Sequence, residues 1–150
     1  MEELNVTASA VISFAERLED STAKLYEELA ERFAEHKETF LALAKESRKN
    51  KVLVTRTYQE TITDALEACF SFEGLNLSDY AARAMSIEGM SYSDALQTAI
   101  EREDKAAQFY LDVAERCQSL LATIPRAFSR VAEVRSKRRL RLQSMLGQGG

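Results

Sequence analysis

The sequence predicts an all-α fold, a bundle of four long helices that forms a single domain over residues 1–150. Helix-breaking residues are scarce, with one Pro and five Gly in the whole chain, and apolar residues recur at spacings of three and four in four long segments. The composition, 45% hydrophobic and 29% charged, is that of a globular chain that can bury an ordinary core. An all-β fold would need many more turn residues.

Four segments carry the helical periodicity, and most of their ends have recognisable signals. We expect helices from about Thr7 to Glu35, from Glu38 to Cys69 or Phe70, from Ser91 or Ser93 to Cys117, and from just after Ile124 to Leu146. Ser93 ahead of Asp94 has the character of an N-cap, and Pro125 suits the first turn of the last helix. Gly147 is expected to end that helix.

The stretch from Ser71 to Ser91 separates the helices into two pairs. It contains Gly74 and Gly89, and we expect a loop with a short helix around Asp79 to Ser86 that crosses over between the pairs. Apolar residues concentrate near its start, where they either cover the open side of the bundle or form a dimer interface: Phe70, Phe72, Leu75, Leu77 and Tyr80.

The two helix pairs repeat a common pattern. The first and third helices share Ala-x-x-x-Glu and, six residues after the Glu, an apolar residue followed by Tyr. This match places Glu103 84 residues after Glu19. The second and fourth share Phe-x-x-apolar-Ala, which places Phe128 88 residues after Phe40. A nearly constant offset predicts two similar hairpins related by a pseudo-twofold axis, with equivalent positions facing each other.

Polar residues interrupt the apolar stripe of every helix at one level of the predicted bundle. They are Glu19, Ser47, Asn50, Glu103, Arg135 and Arg138. We expect the two glutamates to pair with the two arginines, while Ser47 and Asn50 complete the hydrogen bonding. Tyr26 and Tyr110, two turns after the glutamates, are expected to be core tyrosines that bond them. In an alternative arrangement the fourth helix is slightly rotated and Arg138 extends outward.

Two segments resemble rubrerythrin and its ferritin-like relatives: the run from Ala99 to Tyr110, AIEREDKAAQFY, and the run from Leu43 to Glu46, LAKE. The resemblance extends over all four long helices, about 110 of the 150 residues. It implies a ferritin-like bundle with a crossover connection. In that family the first and third helices each supply one Glu, the second and fourth each supply a Glu-x-x-His pair, and the six residues hold two iron ions.

Carried over to this chain, the resemblance places the single ligands at Glu19 and Glu103. The two Glu-x-x-His pairs fall at Ser47 with Asn50 and at Arg135 with Arg138, so neither pair is kept. Two carboxylates then face two guanidinium groups, and arginine does not deprotonate to become a ligand. We therefore expect no metal and no cofactor, with Glu19 and Glu103 as vestigial ligand positions.

These features favour a non-catalytic binding or structural module with a degenerate di-iron site. We expect it to act as a homodimer or through an unidentified protein partner. The alternative is an enzyme, a di-iron oxidase or peroxidase, or an iron-binding protein with an atypical site. Iron would then require a replacement ligand such as Glu46 or Glu133, and Glu46 lies about 100° around the helix from Ser47.

Other signals exclude further functions. The net charge of −4 argues against nucleic acid, and the basic residues of the fourth helix suit its C-terminal dipole. The start Met1-Glu2-Glu3 does not have the character of a signal peptide, and no apolar run is long enough for a membrane, so we expect a cytoplasmic protein. Cys69 and Cys117 form no C-x-x-C pair. The lone histidine, His36, is expected at the surface.

Overall fold

A computed structural model of the chain describes residues 6–61, 71–72, 77, 80, 87–116 and 123–149. Four long helices dominate it: α1 (Ala8–Arg32), α2 (Lys37–Thr61), α3 (Tyr92–Arg116) and α4 (Thr123–Gly149). Two short strands, β1 (Val6–Thr7) and β2 (Ser71–Phe72), pair antiparallel beside them. The prediction of an all-helical bundle of four long helices is confirmed at this level.

The helix ends differ from the predicted ones in three places. α1 stops at Arg32, and a short 3-10 turn (Ala34–His36) leads into α2. The cap of α3 is Ser91, whose Oγ accepts a hydrogen bond from the backbone N–H of Asp94 at 3.1 Å, so the expected cap at Ser93 is wrong.

The third difference is at Gly147, which does not end the last helix, because α4 continues to Gly149. A glycine ends a helix when its φ is positive, and among the described residues only Gly89 has such a φ, at 82°. The late part of the second predicted helix, up to Cys69 or Phe70, and the short helix expected around Asp79 to Ser86 lie outside the described residues.

The helices associate as two hairpins. α1 packs along α2, α3 packs along α4, and the hairpins meet most closely where α2 lies beside α4. The short connection between α1 and α2 makes that pair antiparallel neighbours. None of the helices in the described part of the chain combines the length and apolarity needed to cross a membrane.

The buried apolar residues form two clusters rather than one. The first includes Val54, Phe109 and Phe128, and the second, towards the other end of the bundle, includes Phe40 and Leu142. The polar level predicted from the stripes lies between these two clusters. Apolar packing on both sides therefore isolates the middle of the bundle from water.

Parts of the crossover cover the bundle. Leu77 and Tyr80 pack against the first apolar cluster, and the Tyr80 hydroxyl donates to Asp112 Oδ2 at 2.6 Å. Of the two roles expected for this apolar stretch, covering the bundle or forming a dimer interface, Leu77 and Tyr80 show the first. Phe70, Leu75 and the side chain of Phe72 lie outside the described part of the chain, as do Cys69 and Cys117.

His36 is partly exposed at the surface of the bundle end. Its ring stacks on Tyr92 with centroids 4.6 Å apart, and Phe40 approaches it edge-on. The imidazole thus has aromatic stacking partners at the end of the bundle, away from the polar level.

Candidate functional site

Six polar residues meet inside the bundle, as the stripes predicted. All are buried, none being more than 6% exposed: Glu19, Ser47, Asn50, Glu103, Arg135 and Arg138. Each helix contributes because every helix has a polar position where its apolar stripe faces the axis. We call these six residues the charge cluster.

Arg135 lies between the two glutamates and contacts both. Its Nη1 donates to Glu103 Oε1 at 2.7 Å, and its Nε and Nη2 lie 3.3 and 3.1 Å from Glu19 Oε2. Nη2 also donates to Thr22 Oγ1 at 3.0 Å. The planar guanidinium therefore bridges α1 and α3 from α4, which the branched shape of arginine allows and a lysine ammonium would not reproduce.

Arg138 is buried as well, and its side chain is only 1% exposed. Its Nη1 donates to Ser47 Oγ at 2.9 Å and to Glu103 Oε2 at 3.2 Å, while Nε and Nη2 donate to Glu46 Oε1 at 3.1 and 2.6 Å. The guanidinium also lies over the Tyr26 ring at 5.6 Å. The alternative in which Arg138 extends outward is therefore wrong, because acceptors on two other helices hold it inside.

The two tyrosines make the same contact in opposite halves of the bundle. Tyr26 donates to Glu103 Oε2 and Tyr110 donates to Glu19 Oε2, both at 2.5 Å. Tyr110 follows Tyr26 by 84 residues and Glu103 follows Glu19 by 84 residues, so the sequence repeat relates one Tyr–Glu contact to the other. This reciprocity also fixes α1 and α3 as antiparallel. The prediction that these tyrosines bond the glutamates is confirmed.

The repeat is broken in the other helix pair. By the offset of 88 residues, Ser47 is the counterpart of Arg135 and Asn50 is the counterpart of Arg138. Both cations therefore come from α4, opposite two smaller side chains of α2. Asn50 approaches Glu19 Oε1 at 3.5 Å, a weak contact. The small residues leave the volume that two large guanidinium groups need in a close-packed interior.

Two partners of the cluster were missed from the sequence. Thr22 lies in the α1 stripe, where its hydroxyl donates to the Leu18 carbonyl at 2.7 Å and accepts from Arg135. Glu46 lies about 100° around α2 from Ser47 and its side chain is 44% exposed, yet it reaches Arg138 from the rim. The signal for Glu46 was the length of the Glu46 and Arg138 side chains. Together they reach far enough to meet although Glu46 lies about 100° around α2 from Ser47.

Burial and charge set the protonation of the cluster. Burial alone would raise the pKa of Glu103, but the charges of Arg135 and Arg138 outweigh it and hold that pKa below its ordinary value. Burial would lower the pKa of Arg135, and the two glutamates raise it instead. Burial and the adjacent Glu103 raise the pKa of Tyr26 well above its ordinary value. The cluster therefore consists of ionised Glu103 and Arg135 with a neutral, donating Tyr26.

The depressed pKa of Glu103 predicts a loss of stability in acid. A carboxyl whose pKa is lower in the folded state stabilises the protein above its unfolded pKa of about 4.3, and this contribution disappears as the pH falls through the folded pKa. We therefore expect the difference in free energy of unfolding between wild type and Glu103→Gln to shrink steadily below that pH. Urea melts at a series of pH values measure it.

The exposed Glu101, on the same helix, supplies the control for that titration. Glu101→Gln should follow the wild-type pH profile throughout. A difference between wild type and Glu103→Gln that stays constant down to the acid limit would contradict the ionised state of Glu103.

The donor set does not suit a pair of iron ions. All four oxygens of Glu19 and Glu103 already accept a contact from Tyr110, Tyr26, Arg135, Arg138 or Asn50. In the described residues no group of three or more His, Cys, Asp and Glu side chains could hold a metal ion. An added cation would meet two guanidinium groups at close range, and each like-charge contact at about 4 Å costs roughly 4 kcal/mol at an effective dielectric near 20.

No fully buried side-chain nitrogen or oxygen of the charge cluster lacks a hydrogen-bond partner. Among the buried side-chain nitrogen and oxygen atoms of the described residues, only the Tyr92 hydroxyl has no partner, and it lies with His36 at the end of the bundle. Comparisons with protein-family models, curated proteins and solved structures found no match. The assignment of a function therefore depends on the geometry of the site.

Proposed function

We propose that this protein is a metal-free relative of the ferritin-like di-iron proteins that serves as a non-catalytic binding or structural module in the cytoplasm. The observation that carries the proposal is the position of Arg135, whose guanidinium contacts Glu19 and Glu103 together. In a di-iron bundle a metal cation would neutralise facing glutamates of this kind. Here a side chain of the protein performs that neutralisation.

The chemistry of the cluster supports a structural role rather than a catalytic one. Its members are buried, and the two glutamates are held by ion pairs and tyrosine hydroxyls. A buried group whose hydrogen-bonding capacity is used by permanent partners has none left for a substrate. We accordingly assign binding to the outer faces of the helices, where the occupant is a second copy of the chain or another protein.

The experiment that tests this proposal compares the metal content of two proteins. One is the wild type, and the other restores the missing ligand pairs by Ser47→Glu, Asn50→His, Arg135→Glu and Arg138→His. Both are expressed in iron-rich medium and analysed by mass spectrometry for bound metal. We expect the wild type to carry well under one iron per chain and the restored variant about two, the number a di-iron site holds.

The outcomes separate the two parts of the proposal. Two iron atoms per wild-type chain would overturn the metal-free assignment and restore the di-iron enzyme. A restored variant that folds, judged by its helical circular dichroism, but binds neither Fe(II) nor Co(II) would contradict the ferritin-like relationship, because the six positions would then not surround a metal site.

A further inference from the structure

We infer that the outer groove between α2 and α4 binds an acidic amphipathic helix of a partner protein. This inference rests on the proposed binding role and names the chemistry of the partner. The groove is defined by Lys49 and Leu53 on α2 and by Arg130, Val134, Lys137 and Arg141 on α4. We call it the α2–α4 groove.

The contacts of the charge cluster locate this groove. Glu46 of α2 reaches Arg138 of α4, so both residues lie where the two helices face each other. Lys49 follows Glu46 by three residues and Leu53 follows Lys49 by four, which keeps them on the same side of α2. The same spacing relates Val134 and Arg141 to Arg138 on α4.

Several exposed cations without an ion pair in the described part of the chain lie along this groove. The four cations Lys49, Arg130, Lys137 and Arg141 are exposed, and none of them forms an ion pair with another described side chain. On the α1–α2 side, by contrast, Lys51 pairs with Asp20 and Arg48 with Glu27.

The composition of α4 agrees with that charge. α4 contains seven basic residues and one acid, Glu133, which lies between Arg130 and Lys137. Arg135 and Arg138 are buried and paired inside the bundle and Arg139 pairs with Asp104, so the outer charge comes from the remaining cations. A chain of net charge −4 thus presents a locally basic face, which attracts an anionic partner and speeds its encounter.

The floor of the groove is apolar. Leu53 and Val134 are half-buried between the exposed cations. A groove with an aliphatic floor and charged rims matches an amphipathic helix, whose apolar side contacts the floor while its acids meet the cations. A single-stranded nucleic acid would need aromatic platforms for its bases, and the described aromatic side chains of α2 and α4, Phe40 and Phe128, are buried in the core.

The test measures the Kd of a labelled helical peptide by fluorescence anisotropy. The peptide has about 20 residues, the length of a groove-binding helix, and carries Glu on one side of the helix and Leu on the other. The groove variant is Lys49→Glu with Arg130→Glu. The control, Arg17→Glu with Lys24→Glu, makes the same charge change at exposed positions of α1. We expect the groove variant to weaken Kd roughly tenfold and the control less than about twofold.

Three further measurements discriminate the alternatives. Replacing every Leu of the peptide by Ser should also weaken Kd roughly tenfold, because the floor loses its contacts. Equal binding of the Ser peptide, or tighter binding of a uridine 20-mer than of the Leu peptide, would overturn the inference. Analytical ultracentrifugation gives a third outcome. If the wild type is a dimer and the groove variant is a monomer, the occupant of the groove is a second copy and the inference is overturned. Iron content is read separately, so failure here leaves the metal-free assignment intact.

Discussion

Replacing Arg135 with methionine should lower the free energy of unfolding by about 3–5 kcal/mol, the loss found when one partner of a buried ion pair is removed. Glu19 and Glu103 would remain buried without the guanidinium that joins them, and Arg138 contacts only Glu103 of the two. Methionine retains most of the volume, so the loss reports charge rather than a cavity. Urea denaturation at neutral pH measures it.

The matched control for this substitution is Arg139→Met, on the same helix. Arg139 pairs with Asp104 at 3.1 Å, but both side chains are substantially exposed. Exposed pairs contribute about 0–1 kcal/mol, so the control should change little. Adding Glu19→Gln to Arg135→Met removes one uncompensated charge and should recover part of the stability. A loss for Arg135→Met no larger than that of the control would contradict the buried network.

Truncating Glu103 to alanine should also lower the free energy of unfolding by about 3–5 kcal/mol. Glu103 accepts from Arg135, Arg138 and Tyr26, so one substitution removes an acceptor from two cations and a buried hydroxyl. Glu19→Ala should be less harmful, because Glu19 contacts only one of the two guanidinium groups. Denaturant melts of both variants give the comparison.

The exposed Glu101 again supplies the control on α3, since Glu101→Ala makes the same chemical change two residues away. That variant should stay within about 0.5 kcal/mol of wild type. A greater loss for Glu19→Ala than for Glu103→Ala would mean that the second ion pair of Glu103, with Arg138, contributes nothing.

The sequence predicted the helices and the six cluster positions because both depend on local periodicity. Once an apolar stripe is defined, residues such as Glu19 and Arg135 that interrupt it must face the axis, whatever their partners are. The internal repeat then placed Tyr26 and Tyr110 at equivalent levels. Residue spacing alone was sufficient for these conclusions.

The partners themselves were harder to predict, because they depend on distances between helices. The sequence did not say which arginine meets which glutamate, and Arg135 contacts both glutamates and Thr22. Glu46 lies off the stripe, and only the reach of its side chain brings it to Arg138. The predicted end of α4 at Gly147 was wrong for a different reason. A preference of about 1 kcal/mol against Gly in a helix does not force the helix to end.

The placement of both cations on α4 determines how the two halves recognise each other. Two N-terminal hairpins brought together would bury a pair of Glu19 carboxylates with no positive charge between them. Two C-terminal hairpins would confine four guanidinium groups with only two carboxylates of Glu103. The four fully buried charges, Glu19, Glu103, Arg135 and Arg138, balance only when unlike halves combine. Separately produced halves should therefore reassemble as one-to-one heterodimers and resist self-pairing.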